Sequence, residues 1–304
     1  MSTTTSDRTL VPKNDVAASP VTYKLPDEPL TKIKGGRSWS FFDFKELWSY
    51  RELLYFLTWR DLKVRYKQTI LGVGWVVAQP LMMTLIFTVF LGLLARVPTG
   101  GVPYPLIAYS GLLPWMFVAG GISGCSVSLL ANSNLITKVY FPRVLIPTAY
   151  IITRLLDFAI SFLLFGGLLA IYRYGLHYPL TLSRSFLTLP MLVVLMTMFT
   201  LSLGILLSCM NVKYRDLSIG LPLFIQLWMF VSPVIYPATV VPEKWRTLYF
   251  LNPLAGIIEG FRSALLGLPL NMFGLAVSTV ATIVLFFFSA LIFRRIEKSF
   301  ADVI

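Results

Sequence analysis

Long apolar runs separated by short polar links dominate the chain. Six of them, Ile70–Leu94, Pro105–Leu130, Leu145–Ala170, Phe186–Leu207, Ser218–Pro237 and Leu270–Phe293, are long enough for a helix to cross a hydrocarbon core of roughly 30 Å, which takes about 20 residues. Inside a bilayer no water satisfies the backbone, so each segment has to bond to itself. The pattern predicts an all-α polytopic membrane protein with six transmembrane helices.

Two stretches depart from plain spans. "FFDFKELWSYRELLYFLTWRDLKVRYKQ" (Phe41–Gln68) is aromatic but too charged to cross. At helical spacing Phe44, Trp48, Tyr55, Trp59, Leu62 and Tyr66 share one face, and Arg60, Lys63 and Lys67 another. That is the pattern of an amphipathic helix lying in the membrane interface, bases toward anionic headgroups. A helix packed on other protein is the alternative. The second stretch, Ala238–Pro269, is too apolar for an exposed loop, and Asn252, Pro253, Glu259 and Arg262 interrupt it. The reading here is two short re-entrant helices on the outer side, about 240–268.

Arg154 and Asp157 stand within the third span, three residues apart and so on one helix face. The uncharged remainder, Phe158–Tyr172, would reach only about 22 Å. At least part of the pair is therefore immersed, where a lone charge costs roughly 2.5–3.5 kcal/mol, and an intramembrane ion pair is expected. Both a structural pair and a water-lined surface satisfy that requirement. Gly120 and Gly124, and Gly256 and Gly260, have the GxxxG spacing that lets helices approach closely, as in dimers.

Composition agrees with the pattern. Of 304 residues 56% are hydrophobic and 13% charged, about half the charge of an ordinary soluble domain. The formal charge of +12 sits beside apolar segments instead of along one soluble face, so no nucleic-acid partner is expected. Placing Arg60, Lys63, Arg65, Lys67, Lys138, Arg143, Lys213, Arg215, Arg294, Arg295 and Lys298 on one side leaves only Arg96, Arg173, Arg184, Lys244, Arg246 and Arg262 on the other. Because positive residues are retained inside, both termini are expected in the cytoplasm. Residues 1–40, without an apolar signal core, are expected to be a disordered cytoplasmic tail, and 294–304 a second tail.

Candidate chemistry is sparse. Cys125 and Cys209 lie in apolar stretches and are expected to be small buried thiols. His177, the only histidine, has no nearby metal-ligand partners, and a metal site is not expected. No Gly-x-x-x-x-Gly-Lys-Ser/Thr loop is present to cradle nucleotide phosphates, and no nucleophile and base share one membrane depth. Transport or scaffolding is therefore expected rather than catalysis.

The polar links carry a resemblance. "RYKQTILGVGWVVAQP" (Arg65–Pro80), "GLLPW" (Gly111–Trp115), "NLITKVYFPR" (Asn134–Arg143), "YRDL" (Tyr214–Leu217), "SPVIYP" (Ser232–Pro237) and "LNPLAGIIEGFR" (Leu251–Arg262) occur in one order over roughly residues 50 to 300. Together they resemble the permease subunit of bacterial type-2 ABC transporters that export polysaccharide or polyol-phosphate polymers, such as O-antigen, capsule and teichoic acid. The resemblance implies a homodimer bound to two separate ATP-binding subunits, which would hold ATP and Mg, with no cofactor on this chain. It also implies a lipid-linked polysaccharide, on polyprenyl diphosphate, moved out across the inner membrane among the membrane lipids.

Carried onto this sequence, the resemblance makes residues 41–69 a gate helix whose Arg60, Lys63, Arg65 and Lys67 attract the lipid diphosphate. Residues 70–293 become the permease domain, with a coupling helix at about 132–143 in which Asn134, Lys138, Tyr140, Pro142 and Arg143 meet the ATPase. Asn252, Glu259 and Arg262 fall in the outer gate. Trp75, Tyr109, Trp115, Phe117, Trp228 and Tyr236 are candidate channel-lining aromatics, since sugar rings offer apolar faces for stacking, although aromatics also fill interfacial belts. Asp157 fits an acid found near that place in the family, whereas nothing in the resemblance explains Arg154. A permease for teichoic acid, lipid or drug, and a non-transporting scaffold for glycan assembly, are the alternatives.

Overall fold

A computed structural model describes residues 48–67, 72–178, 184–214 and 216–297, all within one compact unit, Ser40–Ile304. The expected N-terminal tail, Phe44, Gln68, Arg215 and Lys298 lie outside the described residues.

Every regular element among the described residues is helical. Helix α1 is Arg51–Lys67, and α2 is Gly74–Phe87, continuing as a π-helical segment, Thr88–Leu94. Next come α3 (Tyr104–Ala131), the short α4 (Ser133–Lys138) and α5 (Leu145–Ala170), which ends in a second π-helical segment, Ile171–Gly175. After a 3-10 turn at Arg184–Thr188 follow α6 (Leu189–Lys213), α7 (Leu217–Val231), α8 (Glu243–Tyr249), α9 (Pro253–Leu266) and α10 (Met272–Glu297).

Among the described residues, five helical segments are long and apolar enough to cross a membrane: Gly74–Leu94, Tyr104–Ala131, Leu145–Gly175, Ser185–Lys213 and Met272–Glu297. The expected sixth run, Ser218–Pro237, is helical only through α7, whose 15 residues extend about 22 Å. Pro233 is the physical reason, because the residue before proline is driven out of the α region, and Ser232 is indeed extended. Residues Ser232–Pro237 then form a buried loop instead of the last turns of a span.

Helix α3 is the axis of the molecule. It packs on α6, α5, α9 and α2, and α6 packs on α10. Its apolar residues surround the whole helix, as burial on every side requires. Close approach to α6 depends on small residues: a Cβ at Gly121 would stand 2.5 Å from Thr200 Cγ2, and one at Gly204 only 2.7 Å from Cys125 Cβ. Helices α2 and α5 by contrast leave most of their apolar surface uncovered.

The two short helices expected after the fifth run are present as α8 and α9. Asn252 and Pro253 separate them for a local reason. Asn252 caps α9 by accepting from the Leu254 N–H at 3.1 Å, and Pro253 occupies the first helical position, where its missing N–H costs nothing. Gly267, at φ +70°, ends α9 in the left-handed conformation. Almost all of α9 is buried against α3, α6 and α10.

The GxxxG glycines do not form an open packing face. Arg154 fills the notch at Gly120 and Tyr150 the notch at Gly124; Gly256 faces Gly274 and Ser278 of α10, and Gly260 faces Leu192 of α6. Both pairs serve close contacts within the chain, the approach that their spacing allows.

Candidate functional site

The polar residues gather at three places, each at a junction between helices. The first is α4 and the segment after it. Ile136 and Phe141 are buried in an apolar cluster with Leu57 of α1, Leu145 and Ala149 of α5, Cys209 of α6 and Phe293 of α10. With these two anchors fixed, Asn134, Lys138, Val139 and Tyr140 project outward, Tyr140 with 89% of its surface exposed. Pro142 and Arg143 are half-buried. Arg143 is engaged elsewhere: its guanidinium donates to the Glu297 carbonyl, and its backbone N–H lies 3.4 Å from Glu297 Oε1 at the end of α10. Asn132, which sequence reading left out of the site, accepts from Arg60 Nη2 at 2.8 Å and so links α1 to the start of α4.

The second place is the contact of α1 with α5. Leu57 enters the cluster around α4, Thr58 presents its carbonyl to Thr153 Oγ1 at 3.5 Å, and Arg65 and Tyr66 reach Asp157. Sequence periodicity put Tyr66 on the aromatic face with Trp48, Tyr55 and Trp59. Those three are exposed, but the Tyr66 hydroxyl points inward and donates to Asp157 Oδ1. Burial, followed by the hydrogen bond and the charge of Asp157, raises the Tyr66 phenol well above its usual range. It therefore stays a protonated donor.

Asp157 Oδ2 meets two guanidinium groups, Arg65 Nη1 at 2.5 Å and Arg154 Nη1 at 3.0 Å. Arg154 also donates to the Met116 carbonyl at 3.2 Å, in the room that Gly120 leaves. The ion pair expected within one span is thus half of a larger cluster completed from α1. Arg60 is likewise paired, with Asp61 at 2.7 Å, whereas Lys63 and Lys67 are exposed and form no ion pair among the described residues. Four bases read as one headgroup-attracting set are therefore two committed arginines and two exposed lysines.

The cluster forms one wall of a cavity of about 230 Å³. Trp75, Val76 and Gln79 of α2 line it, with Met116 and Phe117 of α3 and Phe158 and Ser161 of α5. Trp75 is 55% exposed and stands at its rim. The other candidate aromatics are distributed differently. Tyr109 is buried, stacked on Phe165, and donates to the Ser161 carbonyl at 3.0 Å. Trp115 is buried with its ring edge-on to Trp228, and Phe117 edge-on to Phe158. Trp228 donates to Asn252 Oδ1 at 3.2 Å, and Tyr236 to the Phe230 carbonyl at 2.8 Å; both are half-buried.

The third place joins α9 to the Ser232–Pro237 loop. Arg262 is 0% exposed. It donates to Glu259 Oε1 at 2.5 Å and to the carbonyls of Pro233 and Val234 at 2.6 and 3.1 Å. Glu259 accepts from the Ala238 N–H at 2.7 Å, and Asn252 Nδ2 donates to Ser232 Oγ at 2.9 Å. All three polar residues expected here brace the same loop, and Arg262 supplies donors to the Pro233 and Val234 carbonyls at its buried turn. Among the described residues, no group of three His, Cys, Asp or Glu could hold a metal.

Long helices that leave wide apolar faces open and carry few charges along their length define a helical integral membrane domain. The chain belongs to the ABC-2 type transporter family, which it matches over residues 52–266. Among curated relatives it is similar to an O-antigen export system permease protein RfbA of Klebsiella pneumoniae, 30% identical over 254 residues that cover 83% of this chain and 95% of that protein. The RfbA permease of Myxococcus xanthus is 30% identical over 72% of this chain and 82% of its own. The polysialic acid transport protein KpsM of Escherichia coli is 23% identical over 79% and 92%.

Proposed function

We propose that this chain is the membrane permease subunit of an ATP-driven exporter that moves a surface polysaccharide, assembled on a polyprenyl diphosphate, out across the inner membrane. The observation that carries the reading is the family match over 52–266, together with relatives named as permeases for O-antigen and polysialic acid that align over most of both chains. The active unit is a homodimer with two ATP-binding subunits, which supply ATP and Mg.

In this reading α7 is a short sixth span completed by the Ser232–Pro237 loop, and both termini face the cytoplasm. Helix α4 is the coupling helix. Its support is the division between anchors, Ile136 and Phe141, and an outward row, Asn134, Lys138 and Tyr140. Such a row, rooted in the bundle, passes a partner's movement to α1, α5 and α10 together. Helix α1 is the inner gate, with exposed Tyr55 and Trp59, and Trp48 just ahead of the helix, in the lipid interface and Lys63 and Lys67 toward headgroups. Helices α8 and α9 form the outer gate. Trp75 is the channel candidate that the geometry favours, since it borders the cavity with an exposed ring, while Tyr109 and Trp115 are enclosed in one chain and Phe117, which also lines the cavity, is buried.

The test is to deplete the protein in a cell that displays the polysaccharide. Lipid-linked polymer should accumulate on the cytoplasmic side while the surface is bare, and the purified protein should bring down an ATPase subunit. Full surface display after depletion would refute export.

A further inference from the structure

We propose that Arg65, Tyr66 and Arg154 form a binding site for the diphosphate headgroup of a lipid, and that Asp157 is its resident counter-ion, displaced when the headgroup enters. This deepens the export reading above and rests on it.

Three donors from two helices converge on one carboxylate: Arg65 Nη1 and Arg154 Nη1 on Asp157 Oδ2, and the Tyr66 hydroxyl on Oδ1. Two fixed cations against one anion leave the cluster positive. A guanidinium pair with an adjacent phenol donor matches the oxygens of a phosphoryl group at least as well as those of a carboxylate. Arg154 Nε is buried with no hydrogen-bond partner among the described residues, so the guanidinium has capacity beyond what Asp157 and Met116 use. The cluster also borders a cavity of about 230 Å³ lined further by Trp75, Val76, Leu113, Met116 and Phe158, with Gln79 and Ser161 as additional polar groups. A positive cluster beside a mostly apolar set of side chains suits a phosphorylated headgroup that carries a prenyl chain. An ion pair serving stability alone needs neither a third donor nor an adjoining cavity.

The experiment measures binding of undecaprenyl diphosphate to the full-length protein with its ATPase partner in phosphatidylcholine nanodiscs. Arg154→Gln is expected to weaken binding about thirtyfold, the lower end of what truncating one partner of a buried charge pair costs. Asp157→Asn removes the competitor and is expected to tighten binding about tenfold. The opposite signs are diagnostic, because a merely structural pair predicts no gain from Asp157→Asn. In the wild type, which involves no folding risk, a photoreactive polyprenyl diphosphate should label segments containing Tyr66, Trp75 or Phe158. Labelling confined to other segments, equal binding to Arg154→Gln, or weaker binding to Asp157→Asn of normal thermal stability overturns the site. Comparable affinity for inorganic diphosphate, or for phosphatidylglycerol nanodiscs, overturns the lipid diphosphate as its ligand. Depletion with surface display intact overturns the export reading, whereas depletion that abolishes display, with these binding results negative, overturns this site alone.

Discussion

Arg60 Nη2 donates to Asn132 Oδ1 across 2.8 Å, a contact between residues 72 positions apart that ties α1 to the residue opening α4. Asn132 is fixed in turn by its own donation to the Ser128 carbonyl at 2.8 Å. The proposed gate helix and coupling helix are therefore joined directly as well as through the bundle.

Breaking that link should separate transport from abundance. Asn132→Ala removes two partly buried hydrogen bonds, to Arg60 and to the Ser128 carbonyl, of which the one to the charged group is worth about 1.5–3 kcal/mol. Membrane levels are expected to remain near wild type, since Arg60 keeps its Asp61 partner at 2.7 Å. Surface polysaccharide, measured by blotting of whole cells, should fall severalfold. Unchanged display at unchanged protein level would show that the contact transmits nothing.

The two bases of the α4 region should behave differently from each other. Lys138 and Tyr140 are exposed, so Lys138→Glu with Tyr140→Ala is expected to leave the amount of protein and its melting temperature unchanged while reducing co-purification of the ATPase subunit. Arg143→Glu places a carboxylate against Glu297 and its carbonyl, and should lower the amount of folded protein. Equal loss of protein in both variants would remove the distinction between a docking row and an anchor.

That distinction shows what the sequence reveals and where it stops. Span positions were legible because a bilayer imposes a length on every apolar run, and five runs became helices within a few residues of the expected bounds. The α8–α9 break was legible because Asn252 and Pro253 act locally, as cap and first residue. Ser232–Pro233 carried the signal that ends α7 early, but apolar composition through Pro237 masked it. Contacts between distant residues were not legible. Helical periodicity puts Tyr66 in line with Trp59, yet only the packing of α1 on α5 turns it toward Asp157, 91 positions away. In the same way GxxxG spacing marks Gly120 as a notch without saying that Arg154 fills it.

Arg262 offers a test of the loop brace. Its guanidinium is wholly buried among Glu259 and the carbonyls of Pro233 and Val234. Arg262→Ala leaves the half-buried Glu259 without its cation and two buried carbonyls without a donor, and should cost about 3–5 kcal/mol. Arg262→Lys keeps the charge but cannot span three acceptors, and should fall between Ala and wild type. The surface pair Arg246–Glu243, 3.9 Å apart with Glu243 largely exposed, is the control; Glu243→Gln should change stability by less than about 1 kcal/mol. Melting of the detergent-solubilised protein ranks the variants, and similar melting for Arg262→Ala and Glu243→Gln would refute the brace.

Two glycines inside helices should respond oppositely to the same substitution. A Cβ at Gly256 would meet the backbone carbonyl of Gly274 and the Ser278 hydroxyl, where α9 and α10 touch. Backbone cannot swing away as a side-chain tip can, so relief requires the helices to part. Ser278 Oγ, which donates to the Pro253 carbonyl at 2.5 Å, would lose that bond as they did. Gly256→Ala is therefore expected to destabilise by about 1–3 kcal/mol, the range for overpacking a closely packed site. Nothing lies within 4 Å of a Cβ at Gly166 on α5, and alanine there only restricts the unfolded backbone and improves helix propensity, a gain of up to about 1 kcal/mol. Thermal melting of the two variants side by side decides the matter. Equal melting temperatures would mean that α9 and α10 do not approach as closely as Gly256 and Gly274 require.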